Sequence, residues 1–287
     1  MATRFGIIGF PISHSISPVF QQAALDYFNL DASYQTWTVQ PDQLSEFIQG
    51  VRNTDVVGIN VTVPHKESVL SYLDEVDEWA AVAGAVNTIV NRKGKLIGYN
   101  TDGIGFLRAL REVGKFVPSD RRVLILGAGG AARAVVLALI SEGVGPLTIA
   151  NRTEARALQL SQMAIYHGLT AQVIPMDPLA LASAAASAEL IVNCTTIGMA
   201  HGPDEQLPLL PWDQIPAAAL VNDLVYNPME TPLLKEASRA GARTLGGIHM
   251  LVFQGAASFE MWTGLEVPIP IMLGTATRAM EVRSKVC

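Results

Sequence analysis

The chain has 287 residues, of which 49% are hydrophobic and 16% are charged, and its formal net charge is −6. This balance excludes a wholly disordered chain, and the acidic sign argues against a nucleic-acid-binding surface. The two cysteines, Cys194 and Cys287, form no disulfide framework or zinc-ligand spacing and favour a reducing compartment. Since no apolar run reaches the roughly 18 residues of a membrane-spanning helix, we expect a cytoplasmic protein that binds no membrane.

The first hundred residues alternate between strand-like and helix-like segments. Period-two alternation and short apolar runs predict strands at 5–11, 33–39, 56–63, 85–90 and 95–100. Helices are predicted between them at 17–28, 41–51 and 66–83. Ser17 is the expected N-cap of the first helix, because Pro18 suits the first helical position. The turn residues at 91–94 predict a hairpin between the last two strands.

The second half of the chain continues the alternation. A helix at 104–114 precedes a short polar segment at 117–122, which we interpret as a linker. Further strands are predicted at 123–126, 147–151, 171–175, 189–195 and 219–226, and helices at 154–166, 178–186 and 231–240. Strands that alternate with helices indicate a parallel sheet with right-handed crossovers. Two more helices are predicted in the last 40 residues.

A glycine-rich loop follows the strand at 123–126. Residues 127–132 fit the G-x-G-x-x-G/A pattern between a strand and a helix, which is the context in which it indicates a dinucleotide site. Gly127 permits the tight turn, Gly129 lets a pyrophosphate approach the backbone, and Ala132 keeps the helix close to the sheet. The helix N-terminus offers N–H groups to phosphate oxygens. The alternative is an ordinary strand–helix turn.

The end of the next strand decides which dinucleotide is favoured. An NAD site usually has an acidic residue there for the ribose 2′-hydroxyl, whereas this strand ends in Asn151-Arg152-Thr153, and Arg156 follows. Two arginines one helical turn apart suit a 2′-phosphate, so NADP is favoured over NAD. Glu154 could instead bind a ribose, and the arginines could simply begin a solvated helix.

Polar clusters stand at the predicted strand ends of the first domain. Each is more typical of a cap or a turn when taken alone; they are His14–Ser17, then Asn60, Thr62 and Lys66, then Asn87-Thr88, and then Asn100–Asp102. Together they predict a pocket rich in hydroxyl and amide groups with one lysine and one carboxylate. Such a pocket suits a small polyhydroxylated acid.

Nine stretches carry a resemblance that runs through nearly the whole chain: HSISP (14–18), NVTVPHK (60–66), AGAVNT (83–88), GYNTDGIGF (98–106), GAGGAARA (127–134), NRT (151–153), TTIGM (195–199), DLVYNP (223–228) and MLVFQGAASFEMWTG (250–264). On these the chain resembles the shikimate dehydrogenase family. The resemblance implies an NADP-dependent oxidoreductase that reversibly reduces 3-dehydroshikimate to shikimate in aromatic amino-acid synthesis.

The resemblance also implies roles for individual residues. Lys66 and Asp102 match the catalytic pair. The positions that match substrate-binding residues are Ser15, Ser17, Asn60, Thr62, Asn87, Tyr226 and Gln254. Those that match cofactor-binding residues are Gly127, Ala128, Gly129, Gly130, Ala131, Asn151, Arg152, Thr153, Arg156, Leu224, Gly247 and, across the expected cleft, Glu78. No metal is implied.

The expected fold is α/β with two domains. An N-terminal α/β substrate domain, 1–103, is completed by C-terminal helices within 247–287, and a Rossmann-type NADP-binding domain, 104–246, is inserted between them. One departure from the family is His249, where glycine is frequent; we interpret it as an exposed loop histidine. The oligomeric state is expected to be a monomer or a homodimer.

Lys66 is our hypothesis for the proton-transfer group, with Asp102 orienting it. Broader quinate and shikimate activity, an amino-shikimate substrate and a silent NADP(H) sensor stay open as alternatives. Tetrahydrofolate dehydrogenases also join an NADP domain to a lysine-bearing domain, but they would not predict the HSISP and NTDG stretches.

Overall fold

The structure, a computed structural model, describes residues 3–284, so Cys287 lies outside the described residues. The described chain divides into two compact units. The first comprises the residues up to Gly105 together with those from Val252 onward, and the second is Phe106–Leu251. The bounds predicted from sequence, 1–103 with 247–287 and 104–246, stay a proposal.

The first unit contains a mixed six-stranded sheet. Its strands are β1 Thr3–Gly9, β2 Ala32–Thr38, β3 Val56–Val61, β4 Glu75–Val76, β5 Thr88–Arg92 and β6 Lys95–Tyr99, in the order β2-β1-β3-β5-β6-β4. β1 is parallel to β2 and β3, whereas β5 is antiparallel to β3 and β6. The predicted hairpin is confirmed, with Lys93 and Gly94 at positive φ in its turn.

Helices connect these strands. They are α1 Ser17–Tyr27, α2 Leu44–Val51, α3 His65–Ser68, α4 Glu78–Ala83 and α5 Asp102–Arg108, with short 3₁₀ turns at Pro41–Gln43 and Val69–Tyr72 and a π turn at Ala109–Val113 after α5. Ile16, not Ser17, is the N-cap of α1, and no side chain caps it. The prediction of Ser17 as a cap was therefore wrong.

The single helix predicted at 66–83 was also wrong. The chain extends between α3 and α4 because β4 pairs with β6; Asp74 N donates to Leu96 O at 3.0 Å, and Asp77 N donates to Gly98 O at 2.9 Å. The Asp77 side chain then caps α4 by accepting from Ala80 N at 2.9 Å. Tertiary pairing here overrides local helix propensity.

The second unit contains a parallel six-stranded sheet. Its strands are β7 Val123–Leu126, β8 Leu147–Ala150, β9 Ala171–Ile174, β10 Leu190–Asn193, β11 Leu220–Asp223 and β12 Arg243–Gly246, in the order β12-β11-β10-β7-β8-β9. Between them lie α6 Gly130–Ser141, α7 Glu154–Tyr166, α8 Pro178–Ala185, a 3₁₀ turn at Trp212–Gln214 and α9 Pro232–Arg239. This strand order is that of a Rossmann fold, built outward from β7 in two halves.

The predicted linker at 117–122 lies inside the second unit. Ser119 pairs with Val144, and Asp120 N donates to Gly143 O at 2.9 Å. The chain passes between the units within α5, at Gly105–Phe106, and again within the helix α10 Gly247–Thr263. The polar composition of 117–122 therefore marks a turn and not a boundary.

The last two helices, α10 and α11 Ile269–Ser284, return the chain to the first unit. Trp262 of α10 packs over Gly58, where a Cβ atom would collide with its ring, and its Nε1 donates to Ile89 O at 3.0 Å. α11 packs on α1.

Each unit has its own apolar core. In the first, side chains from β1, β3, β5 and β6 pack on α2, including Ile8, Ile48, Ile59, Ile89 and Leu96. In the second, side chains from β7, β10 and β11 pack on α8 and α9, including Leu124, Ile191, Val221, Leu181 and Leu233. Among the residues that the structure describes, no helix is long and apolar enough to cross a membrane.

Candidate active site

Polar side chains of the first unit meet at one edge of its sheet. β1 and β3 are parallel and β5 is antiparallel to β3 and β6, so the carboxyl ends of β1, β3 and β6 and the amino end of β5 lie together. Lys66 follows β3, Asn87 immediately precedes β5, and Asp102 follows β6. The sheet topology thus collects residues that are far apart in sequence.

Lys66 and Asp102 form an ion pair at this edge. Lys66 Nζ donates to Asp102 Oδ2 at 2.6 Å; the lysine side chain is 27% exposed and the aspartate side chain 9%. Lys66 O accepts from Val86 N at 2.8 Å, which ties α3 to the segment that carries Asn87. His65 is fully buried and its Nε2–H donates to Val39 O at 2.7 Å, which anchors the same short helix.

Asn87 binds the other carboxylate oxygen of Asp102, Oδ1. Its Nδ2 donates to Asp102 Oδ1 at 2.7 Å, to Thr101 Oγ1 at 2.9 Å and to Gln254 Oε1 at 3.1 Å, so two hydrogens serve three acceptors. Its Oδ1 accepts from Thr101 N at 2.8 Å and from Thr88 Oγ1 at 3.0 Å. Because the backbone N–H can only donate, the amide has one orientation, with its NH₂ group toward Asp102.

A buried layer of hydroxyl and amide groups lies behind Asn87. Ser258 Oγ is 2.7 Å from Thr88 Oγ1 and accepts from Asn60 Nδ2 at 3.0 Å. Tyr34 Oη donates to Asn60 Oδ1 at 2.7 Å, and burial raises the pKa of Tyr34 well above its usual value, which keeps the phenol a neutral donor. Both ends of the Asn60 amide therefore have protein partners. Its predicted contact with a ring hydroxyl of the substrate stays a prediction.

Sequence reasoning missed Tyr34 and Ser258. Ser258 lies four residues after Gln254 and hence on the same face of α10, and its hydroxyl donates to Gln254 O at 3.0 Å. That spacing was the available signal. Tyr34 lies on β2, and nothing in its sequence neighbourhood indicates that it contacts Asn60.

The remaining predicted substrate residues are divided between the units. Ser15 and Ser17 follow β1, and Ser17 N donates to Ser15 Oγ at 3.2 Å. Thr62 follows β3 and its N–H donates to Ile8 O at 3.0 Å, so it lies at the same sheet edge as Lys66. Tyr226 lies in the second unit, and its contact with the substrate stays a prediction.

The glycine loop has the geometry that a pyrophosphate needs. Gly127 has φ +104° and contacts Thr195 and Cys194 closely, so a side chain would be strained and crowded there. Among the described residues, no atom lies within 4 Å of a Cβ built on Gly129 or Gly130, so the backbone at the start of α6 is open to a ligand. Ala128 and Ala131 lie in the same loop and first turn, and the unpaired N–H groups of α6 fit a phosphate.

The end of β8 is cationic. Arg152 and Arg156 are exposed, and Arg152 is 3.8 Å from the Asp204 carboxylate. Asn151 Nδ2 donates to Thr153 O at 2.8 Å, which shapes the turn into α7. Glu154, which could have bound a ribose, is the exposed first residue of α7.

The other predicted cofactor residues, and His249, lie at the start of α10, after β11 and at the start of α4. Gly247 begins α10, and a Cβ there would collide with Leu224 O, so these two residues are in contact. Glu78 is exposed at the first turn of α4 in the first unit. His249 is half-buried in the first turn of α10, and burial lowers its pKa. Its interpretation as an exposed loop residue was therefore wrong.

A Rossmann unit with an open glycine loop, together with a unit that holds a braced lysine–carboxylate pair, defines the chain as a dinucleotide-dependent oxidoreductase. Residues 7–89 match the family described as the shikimate dehydrogenase substrate binding domain, residues 109–201 match shikimate / quinate 5-dehydrogenase, and residues 247–276 match the shikimate 5'-dehydrogenase C-terminal domain.

Similar proteins agree with these matches. The shikimate dehydrogenase (NADP(+)) of Methanopyrus kandleri is 45% identical over 93% of this chain and 92% of its own length. That of Symbiobacterium thermophilum is 46% identical over 96% of this chain and 94% of its own length. Shikimate 5-dehydrogenase from Thermus thermophilus, crystallised with NADP(H) and shikimate, superimposes with a TM-score of 0.85 at 38% identity and covers 96% of this chain and 99% of that one. The chain belongs to the shikimate dehydrogenase family.

Proposed function

We propose that this chain catalyses the reversible reduction of 3-dehydroshikimate to shikimate with NADPH. The observation that carries the proposal is the Lys66–Asp102 ion pair, held at 2.6 Å and braced by Asn87 on the second carboxylate oxygen. The relatives named as NADP-dependent shikimate dehydrogenases support the choice of substrate and cofactor.

Lys66 moves the proton in this proposal. Bound NADPH supplies the hydride to the substrate's carbonyl carbon. Lys66 Nζ donates a proton to the carbonyl oxygen that becomes the hydroxyl, and it takes the proton back in the oxidation direction. Asp102 Oδ2 holds the amine in place, and Asn87 prevents the carboxylate from rotating away.

The surrounding polar groups bind the substrate. We assign the carboxylate to the hydroxyls of Ser15 and Ser17. The ring hydroxyls are assigned to Asn60, Thr62, Asn87 and Gln254, and Tyr226 contributes from the second unit. The Asn87 side chain lies 3.1 Å from Gln254 Oε1, which supports a shared hydroxyl between these two.

The second unit binds NADP(H) through its glycine loop. Gly127 to Ala131 bind the pyrophosphate, and Asn151 to Thr153 with Arg156 bind the adenosine 2′-phosphate. Leu224, Gly247 and Glu78 are assigned to the nicotinamide half. The arginines at the end of β8, with no acid at Asn151, favour NADP over NAD.

The first test is the absorbance of the reduced nicotinamide with purified protein and shikimate, using NADP and NAD in parallel. We expect turnover with a strong preference for NADP, and a higher kcat/KM for shikimate than for quinate. A preference for NAD would overturn the cofactor assignment, a preference for quinate would overturn the substrate assignment, and cofactor binding without turnover would indicate a sensor.

Removal of the Lys66 amine tests whether Lys66 is the proton-transfer group. Lys66→Ala should lower kcat by ~10²–10⁴ with a smaller effect on KM, because proton transfer is lost while most binding contacts stay. Asp102→Asn should act in the same direction.

The matched control is Lys95→Ala. Lys95, the exposed first residue of β6, also forms an ion pair at 2.6 Å, with Glu75 of β4. Its loss should leave kcat unchanged. A Lys66→Ala protein that keeps most of its kcat would rule out the assignment.

A cytoplasmic location and a monomeric or homodimeric state complete the proposal. The low cysteine content supports a reducing compartment. Sedimentation of the purified protein would distinguish the two oligomeric states.

A further inference from the structure

Asp223 is the last residue of β11. It lies in the half of the second sheet formed by β10, β11 and β12, on the other side of β7 from β8 and β9. The last residues of the strands lie in one row, with Asn193 beside both Leu126 and Asp223, and Asp223 beside Gly246. In a fold of this strand order, each half of the sheet holds one half of a dinucleotide. β8 and its arginines serve the adenosine half, so the ends of β10, β11 and β12 face the nicotinamide half.

The Asp223 carboxylate is fully buried and accepts three hydrogen bonds. Oδ1 accepts from Val225 N at 3.0 Å and from Asn193 Nδ2 at 2.9 Å, and Oδ2 accepts from Thr231 Oγ1 at 2.6 Å. Val225 and Thr231 stand at the two ends of the segment 224–230. The carboxylate therefore closes this segment into a loop, which we call the 224–230 loop.

The same network reaches the neighbouring strand and helices. The Asn193 amide also donates to Ile197 O at 3.2 Å and accepts from Thr195 N at 2.9 Å, which orders the turn after β10. Thr231 is the N-cap of α9, its Oγ1 accepting from Leu234 N at 3.3 Å. One buried carboxylate thus sets the relative positions of the turn after β10, the 224–230 loop and the start of α9.

The 224–230 loop carries functional residues but has little regular structure of its own. It includes Leu224, whose carbonyl contacts Gly247, and Tyr226. Asn227 O accepts from Ala200 N at 2.8 Å. Without the carboxylate, both ends of the loop would lose their anchors.

We propose that Asp223 is a positioning residue for the cofactor: by closing the 224–230 loop it sets the affinity for the nicotinamide half of NADP(H), without touching the cofactor. The inference rests on the proposed cofactor site. Asp223 takes no part in the chemical step. Its role differs from that of the glycine loop and the arginines, which bind the phosphates.

The test compares two ligands on the full-length protein by calorimetry. Asp223→Ala should weaken NADPH binding on the order of tenfold or more, because three hydrogen bonds to a charged acceptor are lost. It should leave the affinity for adenosine 2′,5′-bisphosphate, which contains only the adenosine half, within about twofold. A protein that is merely destabilised would lose both affinities together.

Two further variants keep the inference falsifiable if Asp223→Ala does not fold. Asp223→Asn retains an oxygen for Val225 and Asn193 and a group that can donate to Thr231 Oγ1, so it should bind NADPH almost as the unchanged protein does. Thr231→Val keeps the carboxylate but releases one end of the loop, and it should weaken NADPH binding selectively.

Glu189→Ala is the matched control. Glu189 is also a carboxylate with a backbone donor, Arg122 N at 3.1 Å, but it precedes β10 at the amino edge of the same sheet. It should alter neither affinity. NADPH affinity that is unchanged in both Asp223→Ala and Thr231→Val would overturn the inference, whereas failure of the unchanged protein to bind NADPH would overturn the proposed function instead.

Discussion

At the scale of single residues, Asn87 shows how a neutral side chain governs a charged pair. The N–H of Thr101 occupies its oxygen, and its NH₂ group must then face Asp102. The carboxylate is held at both oxygens, by Asn87 and by Lys66. The direction of one amide is therefore part of the geometry of the Lys66–Asp102 pair.

The contribution of Asp223 to the free energy of unfolding depends on pH. Burial raises its pKa to about 6 from an ordinary value of 3.8, so between these values the folded protein holds the proton more tightly than the unfolded chain does. Its contribution to the free energy of unfolding is thus greatest below pH ~4 and falls by about 3 kcal/mol as the pH rises through 6. Asp223→Asn removes this titration, so urea unfolding should show the variant gaining on the unchanged protein by about that amount between pH 3 and 7.

Glu189→Gln is the control for the direction in which stability changes with pH. The Arg121 guanidinium lowers the pKa of Glu189, so this variant should lose stability relative to the unchanged protein as the pH rises. If the free energy of unfolding of Asp223→Asn depends on pH in the same way as that of the unchanged protein, the argument that burial raises the pKa of Asp223 is contradicted.

At the scale of elements, the approach of α10 to α5 depends on Gly105. A Cβ at Gly105 would lie 2.5 Å from Gln254 N and 2.7 Å from Gln254 Cβ. Gly105→Ala must push the helices apart, and overpacking of this kind costs about 1–3 kcal/mol. Because Gln254 moves with α10, we expect kcat/KM for shikimate to fall along with the melting temperature.

Gly50→Ala is the matched helix substitution. Gly50 lies in α2, and among the described residues no atom lies within 4 Å of a Cβ built there. Alanine should raise the free energy of unfolding by about 0.5–1 kcal/mol and leave kcat/KM unchanged. Equal effects of the two substitutions would show that helix propensity, and not the contact with Gln254, decides the outcome at Gly105.

At the scale of the whole molecule, the two units differ in continuity. Phe106–Leu251 is one stretch in which all six strands pair with one another around their own core, so as a separate fragment it should unfold cooperatively and bind adenosine 2′,5′-bisphosphate. A fragment of residues 1–105 lacks α10 and α11, so it should not fold: the surface over Gly58 loses Trp262, and α1 loses α11. Circular dichroism melting of both fragments, with calorimetry on the first, is the measurement. A cooperative transition in the 1–105 fragment would contradict this account.

Much of the candidate site could be predicted from the sequence because its residues stand at strand ends. Lys66, Asn87 and Asp102 were found in that way, and the glycine loop was recognised from its strand–helix context. Tyr34 was not, because its hydrogen bond to Asn60 spans 26 residues and nothing in its local sequence indicates it. The spacing of Ser258 from Gln254 places both on one face of α10, but it does not indicate the hydrogen bond to Asn60, which is 198 residues away. The helix predicted at 66–83 failed for the same reason, because β4 exists only through its pairing with β6.

The discontinuity of the first unit also orders events during synthesis. Residues 252–284 leave the ribosome after the whole of Phe106–Leu251, so Gln254 reaches Asn87, and Ser258 reaches Thr88, only when the second unit has already been made. Domains generally fold as units as they emerge. In this chain the segment that is translated first belongs to the unit that is completed last, so we expect the nascent protein to acquire its dinucleotide fold before its candidate active site is complete.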